Sequence, residues 1–114
     1  MRYAMLIIGD EHAWDSMDAT QHDAAMADVI AWFEKWGAAG KIADGGAELA
    51  STTQAKTVRA SGVTDGPFIE AKEVIGGITF LEADSIDEAV EVAATWPRVA
   101  EGTSTIEVRP VIEH

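Results

Sequence analysis

Cysteine is absent from the 114 residues, so disulfides, thiolate nucleophiles and cysteine-held metals are excluded. Basic residues are scarce: 8 Lys and Arg stand against 20 Asp and Glu, a formal net charge of −12. Nucleic acid demands a basic stripe for its phosphates, and anionic membrane makes a similar demand, so neither is an expected partner. No apolar run approaches the roughly 20 residues that a membrane span needs. The opening run Met1–Ile8 is too short for a signal peptide and gives way at once to Gly9-Asp10-Glu11. A cytoplasmic protein is expected. Histidine is confined to His12, His22 and His114, none spaced from a second ligand in a way that would specify a metal site. No metal and no cofactor are expected. A Gly-x-Ser-x-Gly elbow and a Ser-x-x-Lys pair are missing, which disfavours serine hydrolysis. Gly45-Gly46 and Gly76-Gly77 lack the spacing of a phosphate-binding loop.

What is present is an ordinary globular balance, 47% apolar and 25% charged. A single domain spanning 1–114 is expected, and a chain of this size buries about two-thirds of its unfolded surface. Tyr3 to Ile8 reads as a buried central strand, followed by a loop through Glu11–Asp15. Ser16 or Asp18 offers a helix N-cap, with Gln21 three after Asp18 in capping-box position. The helix should run from about Ala19 to Trp36 and stop at Gly37 or Gly40, with Met26, Val29, Ile30 and Phe33 as its apolar stripe. Trp32 and Trp36 widen that stripe, either as further packing on the sheet or as anchors of a subunit interface.

Lys41 to Ala50 resembles a strand interrupted by a bulge at Gly45-Gly46. Lys56–Ala60 alternates as a strand feeding a turn at Asp65, and Ile78–Ala83 is the next strand. Ser85 caps a helix with Glu88 at its third position, directing Ile86, Ala89, Val90 and Ala93 inward and ending at Trp96-Pro97. Thr105–Ile112 closes the chain as a strand, with Ile106 and Val108 on one face and Glu107 and Arg109 on the other. Strand, helix, strands, helix, strand is the order of a ferredoxin-like split βαβ with an extra hairpin, an α+β fold with both helices on one sheet face. The other face, carrying Tyr3, Met5, Ile7 or their neighbours, then needs a cover.

One stretch concentrates chemically capable residues: Asp65-Gly66-Pro67-Phe68, then Glu70, Lys72-Glu73 and Gly76-Gly77. Asp-Gly-Pro is turn chemistry. In an extended chain Glu70 and Lys72 share a face. The glycine pair lets another backbone or a ligand approach closely. A solvated hairpin with an exposed ion pair would account for these residues equally well, contributing at most about 1 kcal/mol.

This stretch resembles the signature of the DGPF branch of the YCII-related family, D-G-P-F-x-E-x-K-E-x-x-G-G, at every fixed position. The opening Met1–Ile7 and the closing Ile106–Val111 resemble the ends of the same family. The resemblance implies a ferredoxin-like domain that pairs into a dimeric α+β barrel, with no assigned activity for many members. It also implies a histidine–aspartate acid–base pair, for which Asp65 matches the motif aspartate and His22 is the helix histidine on offer. Family members are often encoded beside extracytoplasmic-function sigma factors, which suggests a transcription-linked partner.

Two functions follow as expectations. One is a homodimeric module that binds a small ligand or serves transcription as an accessory, with Arg59, Gly66, Pro67, Phe68, Glu73, Gly76, Gly77 and Arg109 at the binding site. The other is a cofactor-free acid–base enzyme of isomerase or lyase type. There Asp65 or Glu70 is the base, Lys72 or Arg59 stabilises charge, and His22 carries a second proton. In either case the motif should lie at the mouth of a cleft, with Lys72 paired to Glu70 or Glu73.

Overall fold

The computed structural model describes residues 1–114. β1 (Arg2–Asp10) runs through the middle of a four-stranded antiparallel sheet, flanked by β5 (Glu73–Glu82) and β6 (Ser104–Pro110), with β2 (Ile42–Glu48) outside β5. α2 (Ala19–Ala38) and α3 (Ile86–Ala93) lie on one face, which is the ferredoxin-like α+β arrangement. α1 (Glu11–Asp15) is a short helix where a loop was expected. Asp10 makes it, by accepting the His12 and Ala13 N–H groups at 3.0 and 3.2 Å as N-cap.

α2 begins on the expected capping box. Asp18 accepts from the Gln21 N–H at 2.8 Å, and the Gln21 side chain accepts from the Asp18 N–H at 3.0 Å. It continues past Gly37, and Gly40, at φ +76°, releases the chain. α3 starts on Ser85, but Glu88 does not reach back to the cap. Its carboxylate bonds Lys41 and the Asp84 N–H instead.

The core lies between the sheet and α3. Tyr3, Met5 and Leu81 face Ala89, Val92, Ala93 and Trp96, with Trp32 of α2 completing the cluster. The inward set of α3 is therefore 89, 92 and 93, with Trp96 following in the loop; Val92, not Val90, is buried, and Ile86 and Val90 are exposed. Of the two alternate sets of β1, Tyr3, Met5 and Ile7 point to the helices. Their neighbours Ala4, Leu6 and Ile8 occupy the bare face, opposite Phe80, Ile78 and Ile75 of β5. On β6, Ile106 and Val108 pack against the core while Glu107 and Arg109 take the bare face, as their alternation predicts.

β2 carries the expected irregularity, with its register against β5 shifting between Ala43 and Ala47. Gly45 sits at φ +106°, and a Cβ on Gly46 would stand 2.8 Å from the Ile78 carbonyl oxygen. Between β2 and β5 the chain leaves the sheet. A 3₁₀ turn over Thr52–Gln54 leads to a separate two-stranded hairpin, β3 (Lys56–Arg59) with β4 (Gly62–Asp65). The hairpin reverses at Ala60-Ser61, one strand earlier than the turn expected at Asp65.

Candidate functional site

The N-terminal half of α2 stands off the sheet. Of its stripe, Val29 and Phe33 pack against the core, and with Met26 and Ile30 they also wall a cleft of about 970 Å³ whose lining includes Ile7, Ile42 and Thr79. Two contacts fix the helix to its neighbours. Near its start His22 packs against Trp14 of α1, with ring centroids 4.3 Å apart and planes tilted by 56°. Near its end Trp32 and Trp36 donate their indole N–H groups to one acceptor, Thr95 Oγ1, at 3.0 and 2.9 Å. Thr95 donates its own hydroxyl proton to the Val92 carbonyl at 2.6 Å. The hydroxyl's donor and both its lone pairs are thus used.

The cleft rim carries charge. Lys72 and Glu73 line it from the start of β5, and Arg98 lines it from the loop after α3. The Arg98 side chain is only 17% exposed, lies over the Trp14 ring at 5.4 Å, and meets Glu101 at a long 3.7 Å. Lys72 has no carboxylate within 4.0 Å, which corrects the expected pairing with Glu70 or Glu73. Trp96 also lines the cleft, and its buried indole N–H has no acceptor. Leaving such a donor unmatched costs about 1–3 kcal/mol.

Among the residues singled out in sequence, the structure gathers only the second half of the motif at this cleft: Lys72, Glu73, Gly76 and Gly77. A Cβ on Gly77 would make only ordinary contacts, 3.4 Å from the Ala47 carbonyl oxygen and 3.6 Å from Ile7. The first half belongs to the hairpin. Asp65 ends β4 and pairs across it with Lys56, its side chain 87% exposed. Gly66, at φ +90°, donates to the Ala55 carbonyl at 2.7 Å and accepts from the Thr57 hydroxyl at 2.8 Å.

Arg59 lies over the Phe68 ring and reaches the Phe68 carbonyl at 3.4 Å. Gly66, Pro67 and Glu70 line a shallow hollow of about 300 Å³ beside Thr52 and Thr53, away from the large cleft. His22 meets the cleft only through Trp14, and Arg109 sits on β6 beside Glu107 at 3.8 Å. Asp65, Glu70, Lys72 and His22 therefore do not converge within one chain.

The profile of the YCII-related domain matches residues 1–114, the entire chain. The chain belongs to the YCII-related family. An uncharacterized protein of Rhizobium meliloti (strain 1021) is 35% identical over 115 residues, spanning 97% of this chain and 92% of that protein.

In this YCII-related domain the sequence pointed to the motif and missed Trp14, Thr95, Trp96 and Arg98. The capping signal at Asp10 would have found the helix that presents Trp14. No local pattern announces Thr95, whose role depends on two indoles about sixty residues away. No group of three or more histidine, aspartate or glutamate side chains is placed to hold a metal ion. No helix is long and apolar enough to cross a membrane.

Proposed function

We propose that this YCII-related domain is the protomer of a homodimer that binds a small, largely apolar molecule between α2 and the sheet. The observation that carries the reading is the cleft itself. Its volume of about 970 Å³ is that of a ligand site, and its walls combine aliphatic and aromatic side chains with carboxylates, Asp10, Glu11, Asp44 and Glu48 among them, and the cations Lys72 and Arg98. The half-buried apolar strip of Leu6, Ile8, Ile78 and Phe80 on the bare face supports pairing of two sheets back to back.

The geometry favours binding over acid–base catalysis. Lys72 and Glu73 reach the cleft, but Asp65 is committed to Lys56 on an exposed hairpin and Glu70 faces a different hollow. A transcription-linked role would use the same module as a sensor whose occupancy a partner reads.

Titration with the neutral apolar dye Nile red tests the site. The expected result is saturable binding near one dye per chain, lost in Met26→Trp, which fills the cleft from α2. Absence of saturable binding, or binding indifferent to Met26→Trp, would remove the ligand reading. Sedimentation equilibrium tests the dimer, and a monomer at micromolar concentration would refute that part.

A further inference from the structure

We infer that the segment between β2 and β5 is an arm that clasps a second copy of this chain. Six of the eleven large apolar side chains left exposed fall within residues 49–75: Leu49, Val58, Val63, Phe68, Ile69 and Ile75. Phe68 is 71% exposed, in the irregular stretch between β4 and β5. A two-stranded hairpin is marginal in water on its own, so an apolar arm that forms its own sheet calls for a surface to lie on.

Two observations name that surface. The first is charge. Residues 49–72 hold three cations, Lys56, Arg59 and Lys72, against two carboxylates, Asp65 and Glu70. The remainder of the chain holds five cations against eighteen carboxylates. A slightly basic, apolar arm complements the acidic body of its own kind.

The second observation is continuity. The arm runs into β5 through Ile75, which is the register partner of Ile8 and so shares the bare sheet face with it. The apolar surface of the arm therefore leads directly onto the face through which the two sheets are proposed to pair. The arm extends that interface at its edge, with Phe68 and Ile69 against the second copy. Its cations meet the second copy's acidic rim, where Asp44 and Glu48 of β2 stand exposed.

The inference rests on the homodimer proposed above, and the experiment separates the two. The photocrosslinker p-benzoylphenylalanine is placed at position 68 of the full chain, and the irradiated protein is resolved by denaturing electrophoresis and peptide mass mapping. Sedimentation of the same sample establishes whether it is dimeric before irradiation. The expected result is a covalent dimer whose crosslinks join position 68 to peptides of the other copy, with the yield falling as salt is raised.

A dimer in sedimentation that gives only crosslinks within one chain would overturn the arm and leave the sheet-paired dimer standing. A monomer would overturn both. Phe68→Glu with Ile69→Glu, two exposed positions that the fold does not bury, supplies the second arm. Dimer dissociation is expected to strengthen at least tenfold in this variant, and an unchanged dissociation constant would refute the clasp.

Discussion

α3 and α2 share one face of one sheet, and they meet it differently. α3 presents Ala89 and Ala93 with Val92, side chains short enough for the helix to settle onto Tyr3, Met5 and Leu81. α2 is more than twice as long, 20 residues against 8, yet buries only Ala25 and Trp32. Its large side chains at 26, 29, 30 and 33 line a cleft, Val29 and Phe33 also touching the core, while its ends are pinned by the tilted Trp14–His22 contact and by the two indole bonds to Thr95. The difference separates two jobs within one layer. The short helix is closely packed along its inner face, and the long one packs through Trp32 and its neighbours while also roofing a cleft.

The contrast breaks first at the floor of the core. Leu81→Ala removes a fully buried side chain beneath α3 and should lower unfolding free energy by about 2–5 kcal/mol. Met26→Ala, at the cleft wall, should cost no more than about 1 kcal/mol. Urea unfolding of both variants checks the pair, and equal losses would mean that α2 is packed as tightly as α3.

A second test addresses the pin. Thr95→Val removes the acceptor of two indole N–H groups and leaves that of the buried Trp32 unmatched, at a cost of about 1–3 kcal/mol. Thr95→Ser keeps the hydroxyl and should recover most of the loss. Dye binding in the cleft should weaken in the valine variant, because the C-terminal anchor of α2 is released.

The smallest effect concerns the strap from the start of β2 to α3, the ion pair of Lys41 with Glu88. The hydrogen bond from Lys41, aided by the Asp84 N–H, holds the Glu88 carboxyl below its ordinary 4.5. The same bond holds the Lys41 ammonium above its ordinary 10.5. A lowered carboxyl stabilises above its unfolded value and loses that contribution as pH falls through the folded one. A raised ammonium stabilises below its unfolded value and loses that contribution as pH rises through the folded one. The pair therefore contributes fully between pH 4.5 and 10.5 and fades outside that window. Lys41→Met should lower Tm slightly at pH 7, and the gap from wild type should narrow in strong acid. A gap that persists unchanged at pH 2 would assign the loss to packing instead.

Local chemistry was legible. Asp18 with Gln21, Ser85, the bulge near Gly45-Gly46 and the alternation of Ile106 to Arg109 each rest on neighbours a few residues apart, and each lies where its pattern placed it. The cleft was not legible. A 3.6-residue period tells which side chains of α2 share a face, but not how far away the opposing surface stands. Which of the two alternate sets of β1 meets the helices stayed open for a related reason, since a continuous apolar run gives no cue to it. The motif misled in a third way. Its thirteen positions are contiguous in sequence, but the chain crosses from arm to sheet between Glu70 and Glu73, so its two halves serve different places.

Trp32 and Trp96 meet edge to face, with ring centroids 5.0 Å apart and planes at 77°. Indoles so close couple their electronic transitions, which gives circular dichroism a paired band of opposite signs that a loosened interior would lose while helical signal survives. Trp96 also borders the cleft. The unlabelled protein thus carries an optical reporter of its own interior, one that also registers when the neighbouring space is filled.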